Sequence, residues 1–487
     1  MLFLSRHFIL LFFAWLSVSL CYPQAKKQSL ITKKYSPQQL IADATIVKNV
    51  ILKMHPVIGV YNTKAYYETE FNNFIYLIND SLTEKEFRIK LKILINDLHC
   101  GHTEVVFSKK YGKEINKLKL NYSPYIFIPA QNKVFVYSGL NKKQDTLLTK
   151  GTEILKINDF TVDSMLKACR QMITVDGYNQ SGKDYYLQFG FNSYYLGLFG
   201  RPDTFKVEYK KDTLIKKLSY PAKNLLNIPA IPLLAKDDNS FTVYKHAAIK
   251  YKFLDTTNKT LLVKISSFSS RRYKKAYRKI FKKLKNNNSE NLVIDLRGNG
   301  GGNILNAYKL LSYVLDSSKS QTFETHIKNY PLKKYTNGNF AFKVMKSVFK
   351  FFTKKSSIGD TDRYIASIKP RKKYHFNKQV YVLINGGSFS ASCMVAAYLK
   401  YENKAIFIGE ETSGAIEGCN AGVTPYYNLP NTHLKVRVPA YRITHDVYTI
   451  NTGRGIMPNY KITYSINDIF AKRDLELLKV KELLNIK

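Results

Sequence analysis

Three serines crowd one short turn, Asn385-Gly-Gly-Ser-Phe-Ser-Ala-Ser-Cys393, between the strand pattern Val380–Ile384 and the apolar helix pattern Met394–Leu399. A serine at a strand-turn-helix junction can be lifted clear of the backbone and serve as a nucleophile. Ser390 holds that position, and the N–H of Ala391 behind it would point where an oxyanion develops. Ser388 reads as a helix cap and Ser392 as packing. A second turn, Asp295-Leu-Arg-Gly-Asn-Gly-Gly-Gly-Asn303, ends another apolar strand. Its glycines let backbone approach a ligand closely and aim N–H groups at one point. No Gly-Lys-Ser/Thr follows, so the loop is no phosphate cradle, and it lacks the dinucleotide fingerprint. Backbone amides in such a run suggest an oxyanion hole rather than a phosphate cradle, with a glycine-rich structural turn as the alternative. A third strand-end turn, Gly409-Glu-Glu-Thr-Ser-Gly-Ala415, carries Glu410 and Glu411. A serine also needs a base, and far upstream Asp97-Leu-His-Cys-Gly-His-Thr103 offers His99 and His102 at a helix C-terminus.

The elements that must position these groups change along the chain. Apolar residues at helical spacing predict helices over 37–54 behind Ser36, over 64–79, and from the capping box Thr83-Glu-Lys-Glu86 to Leu98. From Tyr122 to Tyr220 the period shortens to strands, interrupted by a helix over 162–172. Strands then alternate with helices to the C-terminus, which implies an α/β layer architecture with active residues at strand ends. The basic, aromatic stretch between Ser318 and Asn377 reads as a lid.

Composition narrows the partners. The 487 residues are 45% hydrophobic and 23% charged, the balance of a globular protein, yet the formal charge is +40. The apolar run from Phe8 to Leu20, behind Arg6 and His7, has the length of a secretory signal ending near residue 25, with a lipid-modified Cys21 as the variant reading. Export to the periplasm or cell envelope makes anionic envelope polymers the expected partners of the basic surface, and no nucleic-acid motif is present. Five cysteines show no zinc spacing, and no metal or cofactor is expected. Cys100 and Cys393 flank the candidate base and nucleophile, so a bridge between them is an expectation in an oxidising compartment.

Taken in order, "DLHCGHT", "NLVIDLRGNGGG", "VYVLINGGSFSAS", "AIFIGEETSGA" and "GRGIMPNY" resemble the motifs of the C-terminal-processing (tail-specific) serine peptidases, in their tricorn-like, retinoid-binding-protein-like branch. "KGTEILKINDF" resembles the later part of a PDZ domain. The resemblance implies a crotonase-like (ββα-spiral) α/β core over 226–487, a PDZ-like β-domain over 116–225 and a helical segment over 26–115, behind a signal over 1–25. It implies Ser390 as nucleophile, with Gly300 or Gly301 and Ala391 supplying the oxyanion N–H groups. The lysine of the family's Ser-Lys dyads is replaced by Ala415, 25 residues after the serine. The histidine branch implies His102 as base in preference to His99. That branch's glutamate is replaced by Thr452, which leaves Glu410, Glu411 or Asp97 to orient the imidazole. The implied activity is an exported endopeptidase acting on unfolded or C-terminal polypeptide. The alternative is a non-catalytic carrier on the same fold, motivated by Ala415, Thr452 and Cys393.

Overall fold

The computed structural model describes residues 29–486, except 141–146, 228–239, 329–330, 337, 339, 341, 346, 348–352 and 451. The signal reading and Cys21 lie outside the described residues. Among the described residues no helix is long and apolar enough to cross a membrane.

The centre is a seven-stranded sheet running Thr242–Tyr244, Ile249–Phe253, Thr260–Ile265, Asn291–Asp295, Gln379–Ile384, Ala405–Gly409 and Tyr460–Lys461 in spatial order. The strands from Thr260–Ile265 onward are parallel to one another. Both faces are covered, which is why these strands are almost continuously apolar. Leu261, Val263, Ile294, Val380 and Val382 face the helices Tyr273–Asn286, Ile304–Val314 and Ala391–Tyr401. Leu262, Val293, Tyr381, Leu383 and Ile408 face Val480 of the C-terminal helix Leu475–Leu483. The result is a mixed α/β fold with several sheets.

The three N-terminal helices, Pro37–Met54, Lys64–Tyr76 and Glu84–Asn96, form no separate body. Their buried faces share one core with Phe323, Tyr364, Tyr427, Tyr441 and Ile443 from the C-terminal half. Capping boxes at Ser36/Gln39 and Thr83/Glu86 start the first and third helices as expected.

Residues 125–221 form an antiparallel sheet carrying two helices, Val162–Gln171 and Ser181–Leu198. The second helix was not expected from sequence. Tyr185, Tyr186, Leu187, Phe189, Phe191, Tyr194 and Tyr195 surround it with aromatic and apolar side chains, so no single stripe marks the helical period.

The lid expectation for 318–377 needs correction. Lys319–Thr325 pairs on one side with Thr361–Ile368 and on the other with Tyr441–His445, inside a five-stranded sheet. Alternation of buried Gln321, Phe323 and Thr325 with more exposed neighbours fixes it as strand.

Candidate active site

Ser390 sits where the Gln379–Ile384 strand gives way to the Ala391–Tyr401 helix, at the N-cap position of that helix. Its backbone has a positive φ of 56°, with ψ −119°. A non-glycine residue persists there only when its surroundings hold it. The holding groups are the two neighbouring serines, of which Ser392 is fully buried as expected. The Ser388 hydroxyl donates to the Leu296 carbonyl at 2.8 Å, and that of Ser392 donates to the Asn299 carbonyl at 2.8 Å. The N–H of Phe389 donates to the same Asn299 carbonyl at 3.0 Å. Ser388 is therefore no helix cap: both serines lash the nucleophile turn to the glycine loop.

That lashing brings the glycines against the nucleophile. A side chain at Gly301 (φ +96°) would place its Cβ 2.8 Å from Ser390 Cβ and 2.9 Å from the Ala391 nitrogen. The Gly301 N–H, however, already donates to Asn299 Oδ1 at 2.9 Å. Gly300 and Ala391, whose N–H groups have no acceptor within the described residues, are the better-placed oxyanion donors.

The candidate base arrives from the other end of the chain. Past the Glu84–Asn96 helix, His99 turns the backbone at φ 48°, and Glu104–Val106 then pairs antiparallel with Lys435–Arg437. Arg437 Nε donates to the His102 carbonyl at 2.9 Å, and the imidazole lies over the Phe389 ring at 4.6 Å. His102 Nε2 thereby stands 3.3 Å from Ser390 Oγ. Burial, and next the Arg437 guanidinium, push its pKa down to about 3, so the ring is neutral and able to accept a proton at neutral pH.

The other sequence candidates lie elsewhere. His99 meets the Gly177 carbonyl at 3.1 Å through Nδ1, and its Nε2 is 4.0 Å from Asp97. Glu411 is held by Arg454 at 2.9 and 3.0 Å and by the Gly455 N–H. Glu410 lines a separate cavity of about 330 Å³ together with Arg297, Tyr185, Tyr464 and Glu476. Burial, then Glu476 and Asp184, raise its pKa to about 7. None of the three proposed acids hydrogen-bonds His102, whose buried Nδ1 has no partner.

Asp176, which the sequence reading passed over, lies nearby. It is 1% exposed and accepts the Gly101 N–H at 2.8 Å through Oδ1, while Oδ2 is buried and unpartnered. A ring nitrogen of His102, a carboxylate oxygen of Asp176 and Cys419 Sγ all lie within 4.8 Å of one another. An ion shared by the three would occupy the base's own nitrogen, so the grouping fits proton chemistry better. Cys100, Cys169, Cys393 and Cys419 are free buried thiols, and the expected Cys100–Cys393 bridge is not formed. The Cys393 thiol donates to the Ser388 carbonyl at 3.1 Å instead.

Residues 259–462, which contain the glycine loop, the nucleophile turn and the third loop, match the model of peptidase family S41. The match is confined to this segment, less than half of the chain. The chain is a serine peptidase. The structure resembles mature CPAF complexed with lactacystin, with a TM-score of 0.63 at 14% identity over 92% of this chain and 98% of that one. It resembles mature CPAF alone at 0.62 and 14%, over 92% and 97%. At such identity the likeness concerns the fold. The photosystem II D1 C-terminal processing protease, at 0.41 and 13% over 88% and 94%, is too distant to carry an argument. Comparison with curated protein sequences finds no match.

Proposed function

We propose that this S41 peptidase is an exported endopeptidase that cuts unfolded or C-terminal polypeptide segments, with Ser390 as nucleophile and His102 as general base. The observation that carries the reading is the 3.3 Å approach of His102 Nε2 to Ser390 Oγ across 288 residues of sequence. Nucleophile and base at hydrogen-bond reach, beside two uncommitted N–H groups, are the parts acyl transfer needs. Ser390 Oγ attacks the scissile carbonyl as its proton passes to Nε2. The Gly300 and Ala391 N–H groups receive the oxyanion, and His102 returns the proton to the leaving amine. Water then repeats the sequence on the acyl-enzyme.

Both partners are half-buried between loops from distant parts of the chain. That placement favours an extended segment over a bond within a folded protein. The parallel sheet with its strand-end loops is the crotonase-like core of this reading, and the sheet and helices of 125–221 are the PDZ-like insert. The apolar N-terminal run supports export, and the +40 charge favours contact with anionic envelope polymers.

The test is cleavage of casein and labelling by a fluorophosphonate. Wild type should cut and label, and Ser390→Ala should do neither. Undiminished cleavage by that variant would overturn the assignment. Fractionation of the producing cells tests export, and retention on an anionic matrix that weakens with salt tests the envelope contact.

A further inference from the structure

The attacking pair leaves one atom unaccounted for. A general-base imidazole that gains a proton on Nε2 becomes a cation, and its Nδ1–H must then donate to something. Here that nitrogen is buried without a partner. Oδ2 of Asp176 is likewise buried without a donor, and a carboxylate oxygen of Asp176 lies within 4.8 Å of a ring nitrogen of His102. Two such buried orphans are costly unless a functional state pairs them.

We propose that Asp176 is the positioning acid of this site, its Oδ2 accepting the Nδ1–H of His102 as the imidazolium forms. The assignment rests on the reading of Ser390 and His102 as the attacking pair. Above the pH at which Asp176 ionises, its charge does not change during the reaction: the serine proton moves to Nε2 and then to the leaving amine, and the carboxylate only holds Nδ1–H. The ring nitrogen and carboxylate oxygen, no more than 4.8 Å apart, need a side-chain adjustment of an ångström or two to meet. Catalytic hydrogen bonds often tighten this way only on the reaction path.

The backbone around Asp176 is built to hold that place. Its own N–H donates to the Ser413 carbonyl at 3.2 Å, and the Gly177 N–H to the His99 carbonyl at 2.9 Å. The Tyr178 N–H donates to the Gly453 carbonyl at 2.7 Å. Asp176 thus sits on a clasp joining the histidine loop to two C-terminal loops. The groups facing it are His102, Tyr61, Glu417, Arg442, Cys100, Cys393 and Cys419. Of these, Arg442 favours the carboxylate and Glu417 opposes it. An imidazole held near pKa 3 is a feeble base, and an anion on Nδ1 is what would strengthen it as the proton arrives.

Asp176→Asn keeps the shape and the Gly101 contact but donates where the carboxylate accepts. Three measurements on the full chain decide the matter: fluorophosphonate labelling rate, NMR titration of His102, and the Nδ1 proton resonance. In Asp176→Asn the labelling rate should fall by roughly a hundredfold or more, with an unchanged thermal midpoint. The His102 pKa should drop in the variant. Wild type should show a far-downfield Nδ1 proton after phosphonylation, a readout that needs no variant to fold. Labelling within twofold of wild type, with His102 titrating as before, would overturn the assignment and leave the peptidase reading intact. An unlabelled wild type whose His102 still responds to Asp176→Asn would support the pairing and sink the peptidase reading.

Discussion

The two halves of the proposed active site are built by different means. The serine half is local: a parallel strand, a tight turn and a helix, all within the segment that matches the family model, and tied to the next strand-end loop by Ser388 and Ser392. The histidine half is non-local. Its loop follows an N-terminal helix outside that segment and is held by the Glu104–Val106 to Lys435–Arg437 pairing and by the 176–178 clasp. The nucleophile can therefore be in place while the base is not. Disturbing the clasp should remove catalysis while sparing the central sheet, whereas disturbing the nucleophile turn strikes the core directly.

The largest effect falls on the chemistry itself. Ser390→Ala should lower kcat/KM by on the order of 10⁴ to 10⁶ with little change in thermal midpoint, read by hydrolysis of a peptide substrate. Next is Gly177→Ala. A Cβ there would stand 2.0 Å from the Gly453 carbonyl oxygen, at φ +64°, so the clasp must open. The expected loss is roughly a hundredfold in kcat with the circular dichroism of the sheet retained. If Gly177→Ala proved as active as wild type, the clasp would not be what holds the base.

The same division decides what could be read from the sequence. Ser390, the glycine loop and their strands were legible because a buried parallel strand is a short apolar run and its functional loop follows directly in sequence. His102 was reachable only through its family motif, since nothing in the periodicity says that residue 102 meets residue 390. Asp176 gave no signal: it is a single aspartate in "TVDGYN", made significant by three loops that meet there only in the fold. The three candidate acids were chosen for nearness in sequence to a known motif. Glu411 serves Arg454 instead, and Glu410 serves a neighbouring cavity. The hydrogen bonds of Ser388 and Ser392 were missed for a related reason, since both hydroxyls bond carbonyls more than ninety positions away.

The pH profile sharpens the comparison on the histidine side. Burial, opposed mainly by the Gly101 N–H, raises the Asp176 pKa to about 7, while His102 is lowered to about 3. A carboxylate with a raised pKa is ionised only above that value, so kcat/KM should rise with pH through about 7 and fall roughly tenfold per unit below it. His102 itself should contribute no limb in this range. Loss of structure is a separate effect. His55, His102 and His445 have lowered pKa values in the fold, so they make stability fall as pH drops from about 6.5, and a thermal midpoint at each pH separates the two. Asp176→Asn should abolish the limb. Glu410, also raised to about 7, is the control, and Glu410→Gln should leave the limb where it is.

The smallest effect tests the serine half. Ser392→Ala removes one buried hydroxyl and leaves the Asn299 carbonyl with the Phe389 N–H as its remaining donor at 3.0 Å. Because that carbonyl keeps a partner, the cost should be about 1 kcal/mol, near the net worth of one hydrogen bond. The consequence for rate follows from where the bond sits. Asn299 also fixes the Gly301 N–H, and a looser Asn299 lets the adjoining Gly300 N–H wander from the oxyanion position. An N–H that binds only the developing charge affects kcat more than KM, so a severalfold loss in kcat at constant KM is expected. A loss in KM alone would place the bond on the substrate-binding side and detach the glycine loop from the chemistry.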